Sequence, residues 1–430
     1  MIKIILSLSL ALLFSGCFVK FTDAEVKPNE KVFEQEDALI LFALRAEELK
    51  QHDAASSIFN TLYEKSNKKE YLYESLQNDL FAQKYERAVQ RVDAEIGEKL
   101  EDFKLVRIKI IALINDEKLQ EARALALALV EKSKEVDDYI LVSEIYVKQK
   151  KFDTAVKYLE SAYTKDYNEK ILDKISIILY VNLQRNKDAI AQLETHARVH
   201  GCSRIICTRL IGFYSNENNV DGLLSVYLRF YELEKNDEIA KKIVQIYAYQ
   251  KDFLKLMSFL QDSGVDDDLL LQVYINSKNY PDAALLAKKL YEARGDSSYL
   301  AQSAIFEYEG HKDKNSKEML SSVIAKLKKA VAGDKKALYL NYLGYLLIDH
   351  SINIKEGMNY VREALKIEPN SAYYLDSLAW GYYKLGDCAR AYKVISRVVK
   401  LEGGDDIEVV KHLKAIKKCK EKQEKGKKKR

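Results

Sequence analysis

From residue 36 onward apolar side chains recur at spacings of three and four, and that recurrence is itself periodic. In the stretch YLDSLAWGYYKLGDCARAYKVISRVVK, Leu375, Leu378, Ala379 and Tyr382 fall on one helical face. Gly386 then interrupts, and Ala391, Ile395 and Val398 resume the stripe. Such spacings put side chains on one side of a helix, and the glycine suits a tight turn between antiparallel helices. The repeating unit is therefore a helix, a break near Lys, Gly or Asn, and a second helix. The second helix opens with a small residue, because the two helices approach closely there.

Aligned on that small residue, the copies fall at Ala55, Ala88, Ala122, Ala155, Ala189 and Gly222, at intervals of 33, 34, 33, 34 and 33. Leu256 keeps the spacing with a larger side chain. Ala283 marks a shortened copy, and Val323 a lengthened one whose insert is HKDKNSKEM. Gly357 and Ala391 restore intervals of 34. Eleven copies span residues 36 to 403. A hairpin cannot bury its apolar face alone, so neighbours must stack into one continuous core. The irregular copies between residues 256 and 320 are expected to form a bend or looser joint. Residues 405–420, with Ile407, Val410, Leu413 and Ile416 on one face, predict an amphipathic helix capping the far end. Asp405 and Asp406 suit its start and lysines its end.

The pattern resembles tetratricopeptide repeats, most clearly in YLNYLGYLL…ALKIEPN (Leu343, Gly344, Ala364, Pro369) and in the copy around Trp380. The resemblance implies an all-α, right-handed superhelical solenoid whose first helices line a concave groove, and hence protein partners. The segment LNYLGYLLID…GMNYVREALKIEPNSAYYLDSLAWGYYKLG is also similar to the C-terminal repeats of large outer-membrane tetratricopeptide lipoproteins. Some of those are adaptors that bind a periplasmic carboxyl-terminal processing protease and present cell-wall hydrolases to it. An adaptor of that kind is one expectation. A structural scaffold in an envelope machine, such as a flagellar motor, pilus or outer-membrane assembly complex, is the alternative.

The start of the chain fits such a location. Lys3 precedes an uncharged apolar run, Ile4 to Phe14, and then Ser15-Gly16-Cys17. That run is much shorter than the roughly 20 residues a spanning helix needs, so residues 1–16 read as a cleaved signal peptide. LFSGC resembles the lipobox of bacterial lipoproteins, which implies lipidation of Cys17. Phe18 follows in place of the Asp of an inner-membrane retention signal, so the outer membrane, facing the periplasm, is expected. Residues 17–35 read as a lipidated tether.

Charge adds one feature. The formal net charge is +4, and removing residues 1–16 takes away only Lys3. The segment from Lys414 to Arg430 carries ten basic and two acidic side chains, which leaves Cys17 to Leu413 at −5. Nucleic acid is therefore not an expected partner. The basic tail, within residues 404–430, reads as a solvated helix end, with contact to anionic lipid or lipopolysaccharide headgroups as the functional alternative. Only three prolines and 16 glycines occur in 430 residues, as suits a helical chain.

Candidate chemistry is sparse. His196 and His200 are four apart and resemble a metal pair, but no Glu lies between them and Cys202 is the only nearby third ligand, so they read as two solvated residues at a helix end. Asp266-Asp267-Asp268 lacks the turn glycine of a calcium loop and reads as a helix start. No catalytic grouping, cofactor loop or metal set is evident, so a non-enzymatic protein is expected. Beyond Cys17 there are four cysteines, an even number in an oxidising compartment. Antiparallel packing of the last hairpin and the cap predicts a Cys388–Cys419 disulfide. Cys202–Cys207 requires Cys202 to lie outside a helix. On the implied groove, Asn341, Tyr345, Asp376, Trp380 and Tyr383 are the candidate partner-binding residues. Trp380 is the only Trp, and Trp and Tyr anchor many protein interfaces. The alternative is that Trp380 packs between first helices as core.

Overall fold

The computed structural model describes residues 31–97 and 101–428. The expected signal peptide, Cys17 and the tether up to residue 30 lie outside them. Two compact units divide the chain, Met1–Asn218 and Asn219–Arg430. In the first, the helices come in pairs: α1 (Glu36–Glu48) and α2 (His52–Ser66), α3 (Lys69–Phe81) and α4 (Tyr85–Ile96), α5 (Phe103–Asn115) and α6 (Leu119–Ser133). α7 (Val136–Lys148) and α8 (Phe152–Asp166) follow, then α9 (Glu169–Ile177), which runs on as a π-helical turn (Ile178–Asn182), and α10 (Asn186–His200). α11 (Arg204–Asn216) ends this unit.

The second unit opens with α12 (Val220–Leu233), the chain-order partner of α11, and continues with α13 (Asp237–Gln250), α14 (Phe253–Ser263), α15 (Asp267–Asn276) and α16 (Tyr280–Arg294). It ends with α17 (Ser297–Gly310), α18 (Lys317–Gly333), α19 (Ala337–Asp349), α20 (Ile354–Ile367), α21 (Ala372–Lys384), α22 (Cys388–Val398) and α23 (Ile407–Lys428). Among the described residues the order is eleven pairs and one further helix. The fold is all-α and tetratricopeptide-like.

The aligned residue of each copy sits in the first turn of a second helix, except Val323, which falls one turn later in α18. Ala55, Ala88, Ala122, Ala155, Ala189, Ala283, Val323 and Ala391 have no exposed surface, and Leu256 is also buried. The close approach is tightest between α19 and α20. A methyl group on Gly357 would stand 2.6 Å from the Gly344 carbonyl oxygen, and one on Gly344 the same distance from the Gly357 carbonyl oxygen. Between paired helices the chain turns through one left-handed residue in every pair except α17 and α18, whose longer connection has none. Gly386 supplies it in the last hairpin (φ 79°), but Lys50, Gln83, Glu117, Lys150, Gln184, Asn218, Lys251, Lys278 and Ser351 do so elsewhere.

Where first helices of successive pairs approach closely, they are α3 with α5, α5 with α7 and α9 with α11 in the first unit and α19 with α21 in the second. No two second helices approach comparably closely among the described residues. The first helices therefore form the inner row of each unit, as the resemblance implies.

Two expectations are corrected. The joint expected between residues 256 and 320 is not where the chain divides. Leu256, Leu260, Leu270, Leu271, Ala283, Ala287 and Leu290 share one core cluster, whereas α12, just beyond Asn218, buries Val226 alone. The capping helix also runs past residue 420 to Lys428. Its buried face, Val409 and Ile416, packs with Ala391, Ile395 and Val398 of α22, and the Asp406 carboxylate accepts from the Glu408 amide at 2.8 Å.

Candidate functional site

The inner row of the second unit ends in a concentrated set of rings and carboxylates. On α17 and α19, Tyr342 donates its hydroxyl to Glu309 at 2.7 Å, and Tyr308 lies 3.1 Å from His350 Nε2. Asp349, one turn beyond Tyr345 on α19, takes the indole N–H of Trp380 at 2.9 Å. Its backbone carbonyl accepts from Lys384 Nζ at 2.7 Å. The Trp380 ring stacks on Tyr383 with centroids 4.7 Å apart.

α23 supplies the remaining members. Tyr345 donates to Glu408, His412 Nδ1 lies 2.8 Å from Asp376 Oδ2, and the His412 ring stacks on Trp380 at 3.9 Å. Burial, and after it the carboxylates of Asp349, Glu309 and Glu408, pushes the Tyr308 phenol up to about 12. Burial raises Tyr342 and Tyr345 further still, reinforced by the hydrogen bonds to Glu309 and Glu408. These phenols remain protonated donors throughout the physiological range. The set can stack, donate and accept hydrogen bonds, and carry negative charge.

The five candidate binding residues thus converge on one end of the inner row, in unequal states. Tyr345, Trp380 and Tyr383 are partly exposed. Asp376 is 5% exposed and held by His412. The side-chain oxygens Asn341 Oδ1 and Asp376 Oδ1 are buried without a hydrogen-bond partner. Trp380 also packs with Ile348, Met358 and Val361. The indole is therefore as much a packing element between α19, α21 and α23 as a surface group. Sequence reasoning did not name Asp349, Tyr308, Tyr342, Glu408 or His412. Asp349 was accessible to it, since it stands four positions after Tyr345 on the same face.

Elsewhere, the two-histidine reading is corrected. His196 is buried at 4% exposure and bonded to the Tyr163 hydroxyl at 2.7 Å. Burial, and then nearby His200, lowers its pKa. It faces inward because the stripe of α10 that carries Ala189 and Leu193 continues through it. His200 stacks on Tyr167 at 5.1 Å. Among the described residues no three His, Cys, Asp or Glu are grouped to hold a metal. Asp266 caps α15, accepting from the Leu269 amide at 2.9 Å. Disulfides join Cys388 to Cys419, with Cα atoms 5.7 Å apart, and Cys202 to Cys207, at 5.4 Å. Cys202 precedes α11, outside the helix.

No family model and no curated protein matches the chain. A chain in the crystal structure of the APC/C hetero-tetramer Cut9-Hcn1 is similar at 12% identity and a TM-score of 0.40, over 90% of this chain and 97% of that one. One in the structure of Naa15/Naa10 bound to HypK-THB is similar at 13% identity and a TM-score of 0.29. That alignment covers 87% of this chain and 65% of the other. The hairpin period, the small residue at each close approach and the touching first helices make this chain an all-α, tetratricopeptide-like repeat protein.

Proposed function

We propose that the chain is a non-enzymatic lipoprotein of the bacterial outer membrane, facing the periplasm, that holds protein segments on the inner helix row of its second unit. The observation carrying this reading is the aromatic, hydrogen-bonding face of α17, α19 and α21, where partly exposed Tyr342, Tyr345, Trp380 and Tyr383 lie together. Tyr and Trp bury large area with few rotatable bonds, and so dominate protein interfaces. The likeness of the segment around Leu343 and Trp380 to adaptor lipoproteins favours presenting substrates to a carboxyl-terminal processing protease. The alternative is a fixed scaffold in an envelope machine.

Affinity capture from detergent-solubilised envelope tests the reading, with wild type compared against Tyr342→Ala/Tyr383→Ala. Truncating hot-spot anchors costs about 2 kcal/mol or more of binding, so the double variant should lose its partner. Because Tyr342 also packs on the core, its Tm should fall, and affinity is read at a temperature where the variant is still folded. A protease captured together with hydrolases supports the adaptor, and motor or pilus subunits the scaffold. Capture unchanged by the double substitution rejects this face as the site, and turnover by the purified protein alone rejects the non-enzymatic reading.

A further inference from the structure

The outward side of α23 carries a feature that capping does not require. Lys411, Lys414, Lys418, Lys422 and Lys425 follow one another at steps of three, four, four and three, and all five are exposed. That spacing makes one stripe along the helix, opposite the stripe of Val409, Ile416 and Cys419 that faces the last hairpin. At about 1.5 Å per residue the stripe extends roughly 21 Å. Among the described residues none of the five is in an ion pair; the one such pair in this segment, Lys420–Glu424, lies beside them.

Like charges one turn apart destabilise a helix, so the stripe is unfavourable for α23 on its own. An anionic surface laid along it reverses the sign. We propose that this stripe docks the C-terminal end of the protein onto the headgroups of an anionic phospholipid bilayer. The charge pattern matches that occupant: five cations stand in a line on one side of a rigid helix, while residues Cys17 to Leu413 carry a formal −5. Most of the apolar face of α23 is spent on α22, with Val409 and Ile416 essentially unexposed and Ile407 alone standing out at 74% exposure, so little is left to insert among acyl chains. Binding is electrostatic and sensitive to salt.

Vesicle co-sedimentation tests this with the chain shortened to begin at Phe18, which keeps every described residue and removes any contribution from an acyl group or the apolar run. Vesicles of phosphatidylcholine containing about one-third phosphatidylglycerol should bind it at least a hundredfold more strongly than pure phosphatidylcholine at about 0.05 M salt. About 0.5 M salt should abolish the difference. Replacing all five lysines by Gln should remove most of the preference for anionic vesicles, leaving what Lys417, Lys420 and the last four basic residues contribute. The circular dichroism spectrum should be unchanged and the Tm no lower than wild type. Equal binding to both vesicle types, or wild-type binding by the quintuple variant, overturns the proposal. So does a preference for duplex DNA over anionic vesicles at equal phosphate, which reassigns the stripe to nucleic acid.

Discussion

A single carboxylate near the start of the chain gives the sharpest test of the electrostatics. Glu36 is 2% exposed, yet it is satisfied by Lys68 at 2.7 Å, the Tyr71 hydroxyl at 2.7 Å and the Val32 amide at 2.7 Å. The hydrogen bond from Lys68, working against burial and helped by Tyr71 and Val32, lowers its pKa to about 2. Because folding depresses this pKa, the group stabilises the fold above the usual carboxylate range, and that stability disappears as pH falls from about 5 through about 2. Screening by nearby solvent makes the stability at stake smaller than the full shift implies. Glu36→Gln should therefore weaken amide protection in α1 and α2 at neutral pH, read by hydrogen exchange, and flatten its acid dependence. An unchanged acid profile in the variant would remove Glu36 as the cause. Neither this cluster nor the pairing of Asp376 with His412 was legible in the sequence. Lys68 stands 32 positions from Glu36, and His412 stands 36 from Asp376. Only the stacking of successive helices brings such partners together.

The hairpins themselves were legible, because their determinant is local and repeated. A second helix lies closest to its partner where its first turn carries a small side chain, and that feature recurs in most of the hairpins, with Leu256 and Leu320 as the exceptions. The turns left a fainter trace. Their left-handed residue is Gly in one hairpin and Lys, Gln, Glu, Asn or Ser in nine more, since hydrogen bonding across the turn compensates the strain. Buried ionic networks left none: Asp79, fully buried, is gripped by Arg87 and Arg91 of the following helix at 2.6 and 2.7 Å, and charged residues in a helix give no sign of facing inward. The close-approach argument predicts opposite signs at two glycines. Gly357→Ala drives a methyl group against backbone and should cost about 1–3 kcal/mol. Gly212→Ala, in α11 with nothing within 4 Å of the added methyl, should stabilise by up to about 1 kcal/mol. Thermal melts of the two variants decide it; equal shifts would mean that approach distance does not set residue size at these positions.

At the scale of the whole molecule, the reading places a membrane attachment near each end of the chain: an acylated Cys17 before the first hairpin and the lysine stripe of α23 after the last. The two differ in kind. Acyl chains contribute about 0.8 kcal/mol per buried CH₂, and two or more hold a protein stably on a bilayer, independent of salt. Lysines are screened within about 10 Å at 0.1 M ionic strength. Cys17→Ala should accordingly convert a salt-resistant membrane protein into one that either stays unprocessed, with a slower gel mobility, or is released by a high-salt wash. Removing the stripe alone should leave attachment intact. Combining Cys17→Ala with the five Lys→Gln changes should release any processed protein even at low salt. The measurement is fractionation of cell envelopes with and without salt, alongside the gel mobility that reports processing. A Cys17→Ala protein of mature size that resists every wash short of detergent would end the lipoprotein assignment, since the remaining lysine stripe is salt-sensitive.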